Sequence, residues 1–259
     1  MSYYEDISQR DVISKLTPLL DNGTFYLRDD GKLTRQSRLS HNTPWIHHKQ
    51  ARNRNCTLYH TLHSHFGFIH STCHECWKTV VRPRTLVELH SLMNIQKVLD
   101  LPSKCGIEKR ETVCGLYGGY FYANSLAEGK AQYKCVRKTV DEISVDIPVI
   151  LKRGCTEFEV GGTPSDHWEI SEDQKKMEYL VNDLVDQNVS KIPQPEHLKE
   201  SIFRTWIHWA YAAGDLTYLS YTDGKALFAP YKTYHEVCNG KKERQKERQE
   251  EGKCGFEGG

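Results

Sequence analysis

The stretch from Cys76 to Leu151 constrains this chain most, because short apolar runs bounded by turn signals alternate there with two amphipathic segments of helical length. Cys76-Trp-Lys-Thr-Val-Val-Arg-Pro83 alternates and stops at a proline, as a short strand does. Thr85 to Leu99 puts Leu86, Leu89, Met93 or Ile95, and Leu99 on one face of a helix. Cys105 to Tyr122 is glycine-rich and aromatic, a strand or hairpin. Ser125 to Ile143 opens on a capping box, Ser125 with Glu128, and is predicted helical. Ile147 to Leu151 is a compact apolar strand. The sum is an α+β fold: one compact mixed domain with a small metal-knuckle region and a charged C-terminal tail.

The flanks add elements to this centre. Residues 6–20 place Ile7, Val12, Ile13, Leu16 and Leu19 or Leu20 on one helical face, closed by Asp21-Asn-Gly23. Asp30-Gly31 marks a hairpin turn. Residues 34–56 carry arginines and lysines, no acid, and Trp45, and are expected to form a basic loop. Leu58 to Phe68 suits helix or strand. After Gly161-Gly-Thr-Pro164, a helix capped at Ser165 or Ser171 should run to about Val185, and another from Glu196 to Ala213, closed by Gly214. A hairpin is expected about Asp223-Gly224. The domain reading is residues 1–55 as helix, hairpin and basic segment, 56–238 as the main α+β domain, and 239–259 as a solvated tail.

With 259 residues and 38% apolar content the chain can bury a substantial core. Its 35 Lys+Arg nearly balance 34 Asp+Glu, so attraction to nucleic acid or anionic lipid must come from a local patch. The N-terminus lacks the pattern of a signal peptide and no stretch approaches 18 consecutive apolar residues, so a cytoplasmic protein without a membrane partner is expected. Nine cysteines in such a compartment are expected as thiols or metal ligands, not disulfides.

Four stretches carry chemistry. His70-Ser-Thr-Cys73-His-Glu-Cys76 has the spacing of a zinc knuckle, with Cys73 and Cys76 as thiolate ligands, His70 as a third, and Cys56, one of His60, His63 and His65, or Cys105 as a fourth. An iron–sulfur cluster, a reactive Cys-x-x-Cys thiol and an inert turn stay open as alternatives. A zinc deaminase does not fit, because His74 and Glu75 lie inside the cysteine pair. Ser103-Lys104 and Arg110 are expected in a loop suited to holding a phosphate, although it lacks P-loop spacing. Tyr117, Tyr120 and Tyr122 sit beside two glycines and offer faces on which bases stack. Lys152 and Arg153 lead into Glu157 and Glu159, which along a strand would share one face as paired carboxylates for acid–base or metal work.

These features favour an enzyme, a transferase or hydrolase acting on a nucleotide or nucleic acid and stabilised by a bound metal. Glu157, Glu159, Lys104 and Arg110 are its catalytic candidates; Ser103, Tyr117, Tyr120, Tyr122, Lys152 and Arg153 are its substrate-binding candidates. The clustered Cys and His among dense short motifs resembles the small enzymes of viruses and mobile elements. A non-enzymatic zinc-knuckle protein gripping nucleic acid through residues 34–56, Lys78, Arg82 and Arg84 is the alternative, and a structural or assembly protein the second.

Overall fold

A computed structural model describes residues 8–21, 23, 25–35, 43–49, 55–160, 162–186 and 193–228. The predicted charged tail, the first seven residues and parts of the basic segment (36–42 and 50–54) lie outside them. By contact density the chain divides into a unit spanning residues 1–218 and a second spanning 219–259. In the second, the described residues form a turn in which Asp223 and Gly224 have φ of 51° and 72°, and no strand accompanies it among residues 219–228.

The centre of the first unit is a five-stranded antiparallel sheet ordered β3-β5-β6-β4-β7. Its strands are β3 (Trp45–His48), β4 (Trp77–Val81), β5 (Ser103–Ile107), β6 (Tyr117–Ala123) and β7 (Val149–Arg153). Helix α4 (Leu86–Leu99) links β4 to β5, and α5 (Leu126–Asp141) links β6 to β7. Two β-α-β units are thus interleaved, each straddling a strand of the other, with a β5-β6 hairpin between them: the connectivity of a ferredoxin-like motif, extended at one edge by β3. The α+β expectation holds. Both helices start as their caps dictate, Thr85 accepting from the Glu88 N–H and Ser125 from the Glu128 N–H.

Strand alternation divides the sheet into two faces. Gly119 lies against Leu92 of α4, and Trp77 against Gly129 of α5, so Trp77, Thr79, Val81, Cys105, Tyr117, Gly119 and Phe121 face the helices. The opposite face carries Trp45, Lys78, Val80, Lys104, Gly118, Tyr120, Tyr122 and Lys152.

The rest of the first unit builds a second core. Helices α1 (Gln9–Asp21), α2 (Cys56–Phe66) and α7 (Glu172–Leu184) and the β1–β2 hairpin (Phe25–Leu27, Leu33–Arg35) bury Val12, Leu16, Phe25, Leu33, Leu58, Leu62 and Val181 together with Phe158 and Trp168. Leu58 to Phe66, ambiguous by periodicity, is helical because Leu58, Tyr59, Leu62 and Phe66 form a stripe that this core buries. Short α3 (Ser71–His74) and α6 (Thr156–Glu159) join the two halves, and α8 (Glu196–Ala213) covers the β3 side of the sheet.

The basic segment expected as a loop contains strand β3. Its outer edge is blunted by Gln194, which accepts from the His47 N–H (2.9 Å) and donates to the Trp45 carbonyl (3.1 Å). Buried Trp206 of α8 donates its Nε1–H to the Pro44 carbonyl at 2.8 Å. Gly106 permits this crossing, since a Cβ there would stand 2.1 Å from the Pro44 oxygen. A Gly106→Ala variant is therefore expected to displace β3 and lose about 1–3 kcal/mol, read as a lower thermal midpoint with a shift in tryptophan emission.

Candidate functional site

The side chains with the most perturbed environments gather on the sheet face turned away from α4 and α5. Lys78 is the second residue of β4, flanked by Trp77 and Thr79, and only 8% of it is exposed. Its ammonium donates to Cys155 Sγ at 3.0 Å. Cys155 directly follows Gly154, whose positive φ of 59° turns the chain from β7 into α6. From α2, a ring nitrogen of His60 lies within 4.8 Å of the same sulfur. Ligand atoms of His60, Cys155 and Glu157 all lie within 4.8 Å of one another, and among the described residues this is the one set of three or more His, Cys, Asp or Glu side chains that converges so.

The electrostatics favour a thiolate at Cys155. Burial pushes the thiol up, but the Lys78 charge and hydrogen bonds from His60 and Lys78 outweigh it and bring Cys155 down to about 6. Burial works against the Lys78 charge, but the Cys155 thiolate beside it holds its ammonium above the ordinary lysine value. Burial raises the Tyr122 hydroxyl, which stays neutral. His60 stacks on Phe158 with centroids 4.5 Å apart, which fixes the imidazole plane.

Beside the thiolate runs a network of charges. Arg110 donates to both oxygens of Glu108 (2.8 and 2.6 Å), to the Tyr120 hydroxyl (2.7 Å) and to Glu157 (2.8 Å). The Tyr120 hydroxyl donates to Glu108 at 2.6 Å and accepts from Arg82 at 3.1 Å. Burial would raise Glu108, but these hydrogen bonds and the Arg110 charge hold it at about 2. The second carboxylate oxygen of Glu157 is buried without a hydrogen-bond partner. Lys104 reaches over the Trp45 ring, 4.1 Å from its centroid, and lies 5.5 Å from that of Tyr120. Burial, with Lys78 and Arg110 nearby, depresses Lys104 to about 8.

The expected site residues separate by strand parity. Lys104, Tyr120, Tyr122 and Lys152 lie on the face turned away from α4 and α5, and Arg110 joins them from the β5–β6 loop. Ser103, Tyr117 and Arg153 lie on the other face and hold the scaffold. Ser103 donates to the Leu101 carbonyl (2.9 Å), Tyr117 to Asp215 (2.7 Å), and Arg153 to the carbonyls of His74 and Ser165 (2.7 Å each). Ser103-Lys104, expected in a loop, is the start of strand β5. Glu157 and Glu159 fall on helix α6 and not on a strand, so two positions apart they diverge: Glu157 pairs with Arg110 and Glu159 with Lys152.

The knuckle residues are placed differently from expectation. No three of His70, Cys73, Cys76 and Cys56 bring ligand atoms within 4.8 Å of one another. Cys73 and Cys76 are buried, and burial together with the neighbouring Cys56, Cys155 and Cys76 raises the Cys73 thiol. His70 is the N-cap of α3, its Nδ1 accepting from the Thr72 N–H (3.2 Å), and it stacks on Tyr59. Of the further cysteines a cluster would need, Cys105 is buried while Cys114 and Cys135 are exposed.

Lys78, His60 and Cys155 as a trio escaped sequence reasoning, since they come from three distant segments. One signal was present: a lysine inside Trp-Lys-Thr-Val-Val, an otherwise apolar strand, must find an anion when buried. In comparisons with known proteins the chain matches no family model, no curated protein and no solved structure. Among the described residues no helix is long and apolar enough to cross a membrane.

Proposed function

We propose that this protein is an enzyme acting on a nucleotide or nucleic acid by group transfer, with Cys155 as its nucleophile. The observation that carries this reading is Lys78 Nζ, buried in a strand and 3.0 Å from Cys155 Sγ, with a ring nitrogen of His60 within 4.8 Å of the same sulfur. A cysteine serving only to pack would be a neutral thiol, as burial makes Cys73 and Cys105. Attack by Sγ on an electrophilic atom of the substrate forms the sulfur–substrate bond. The bond to the leaving group breaks, and that group departs with the electron pair and takes the proton from His60. A second nucleophile then displaces the transferred group from sulfur, and His60 accepts the proton that nucleophile loses. The aromatic rings of Trp45 and Tyr120 and the cations Lys104 and Arg110 suit a substrate with a base and a phosphate.

A metal bound by His60, Cys155 and Glu157 is the second reading, favoured by the convergence of their ligand atoms and by donor types that suit zinc. Against it, Lys78 already neutralises the thiolate and Arg110 the carboxylate, so a dication there would face two fixed cations.

Iodoacetamide labelling of the full chain at pH 7, mapped by mass spectrometry with and without a nucleoside triphosphate or single-stranded oligonucleotide, tests the first reading. Cys155 should label ahead of the other cysteines and be protected by one of the two ligands. Labelling at the rate of an ordinary thiol would sink it, and one equivalent of zinc lost in a Cys155→Ser variant would install the metal reading instead.

A further inference from the structure

We infer that the side of the sheet where α8 meets β3 and the β5–β6 loop is a track for single-stranded nucleic acid. Trp45 and Trp209 stack its bases, and Lys104, Lys109 and Arg82 meet its phosphates. This rests on the reading that the substrate is a nucleotide or nucleic acid, and it narrows that substrate to a single strand of several nucleotides.

The first observation is an unbroken line of rings and cations. Lys109 Nζ, in the β5–β6 loop, stands 5.3 Å from the centroid of the Trp209 ring on α8. Its chain neighbour Arg110 donates to the Tyr120 hydroxyl at 2.7 Å, and its guanidinium carbon lies 5.6 Å from the Tyr120 centroid. Arg82 approaches the same ring, also at 5.6 Å. Lys104 Nζ stands 5.5 Å from it and 4.1 Å from the Trp45 centroid, and the Trp45 and Tyr120 rings meet edge to face at 5.6 Å. The backbone ties the two ends together. Trp206 is anchored on the carbonyl of Pro44, which directly precedes Trp45, and Trp209 follows Trp206 by about one turn of α8.

The second observation is that these cations lack anions. The Glu108 side chain is wholly buried and is held by Arg110 with Arg82 nearby, and Glu157 is held by Arg110. Among the described residues neither the Lys104 nor the Lys109 ammonium has a carboxylate within ion-pair distance or a hydrogen-bond acceptor; each has only the aromatic rings beside it. Arg82 turns Nη1 to Tyr120 and Glu108, and its other two nitrogens have no partner among the described residues. Lys109 is exposed, and the Arg82 and Arg110 side chains are 22% and 35% exposed. Trp45 itself stands in residues 34–56, which contain no acid. Cations placed in this way attract phosphates.

The rings decide which phosphate-bearing partner fits. Trp45 and Trp209 are half-buried and belong to different elements, and the Trp209 Nε1–H has no acceptor. Aromatic rings separated by ammonium and guanidinium groups match an unpaired strand, whose bases stack while its backbone passes the cations. A duplex hides the faces of its bases, an acidic peptide has no bases, and a mononucleotide has only one. The line also runs to the nucleophile, because Arg110 donates to Glu157, two residues after Cys155.

Fluorescence anisotropy of the full chain with a labelled oligodeoxythymidylate of about ten nucleotides, titrated at several salt concentrations, tests the track. Wild type should bind saturably, with an affinity that falls as salt rises. Lys109→Gln, at an exposed position, should flatten the log–log salt slope by about 0.7. Trp209→Leu should weaken binding about tenfold and keep the slope. Absence of saturable binding to wild type overturns the track, as does wild-type behaviour of Lys109→Gln or of folded Trp209→Leu. Displacement of the oligonucleotide by equal amounts of duplex, thymidine monophosphate or poly-glutamate overturns it too. Iodoacetamide labelling of Cys155 on the same samples separates the two readings. Fast labelling without oligonucleotide binding removes the track and leaves the nucleophile; Lys109-dependent binding with a slow, ordinary thiol does the reverse.

Discussion

In a Lys78→Met variant, alkylation of Cys155 at pH 7 should fall by about two orders of magnitude. The wild-type thiol, at about 6, is mostly thiolate at neutral pH; returned to an ordinary value of 9.0 or above, it is about one per cent ionised. The sign follows from which form Lys78 stabilises. The ammonium favours the anion, so labelling of the wild type should rise through pH 6 and level off near neutrality, whereas the variant should still be rising at pH 9. Met matches the length of the lysine stem in a strand position that is 8% exposed, so the apolar neighbours keep their packing and the fold is retained. Labelling rates from pH 5 to 10, resolved by peptide mass, make the measurement. Superimposable wild-type and variant profiles would refute control of the thiolate by Lys78. Cys73 and Cys105 do not compete near neutrality, because burial raises both thiols.

Replacing Glu108 by Gln should cost about 3 kcal/mol, since it removes the anion on which Arg110, Tyr120 and Arg82 converge while leaving the cations in place. The lower end of the range for a broken buried pair applies, because the Arg110 side chain is 35% exposed and water relieves part of its unpaired charge. The same carboxylate makes the fold acid-sensitive. Its folded value, about 2, lies below the ordinary 4.5, so its contribution is present in full above 4.5 and is lost as pH falls from there through 2. That contribution is on the order of 2–3 kcal/mol. Urea unfolding at pH 7 and pH 3 should show wild type losing more stability on acidification than Glu108→Gln, which has no carboxylate left to protonate. Equal losses would place the acid sensitivity elsewhere.

Local signals in the chain marked several of its elements. Thr85 with Glu88, Ser125 with Glu128 and Ser171 with Gln174 mark helix starts by side chains that accept the first free N–H groups. Gly214 ends α8, and Gly31 turns the first hairpin, because each adopts a positive φ that other residues resist. These interactions span three or four residues, so they are legible without knowledge of the fold. Strand β3 was hidden because Trp-Ile-His-His is short and polar on one side; it is a strand through its pairing with β5 and the contacts from Gln194 and Trp206. The Glu157–Glu159 pair was misplaced for a similar reason. Gly154 turns the chain and Phe158 is drawn into the core between α2 and Trp168, which winds Thr156–Glu159 into a helical turn.

The sequence by itself determined the mixed α+β class, the helices with their caps and the residue types available for chemistry. It also showed Lys104, Tyr120 and Tyr122 near one another along the chain. Only the tertiary structure decided which of them share a face, because side-chain period two makes Ser103 and Lys104 neighbours in sequence and opposites in space. Only it brought His60 from α2, Lys78 from β4 and Cys155 from the end of β7 onto one sulfur. Such a cluster depends on strand order and on how α2 lies over the sheet, and the free energy that sets both is spread over two whole cores rather than written in any one motif.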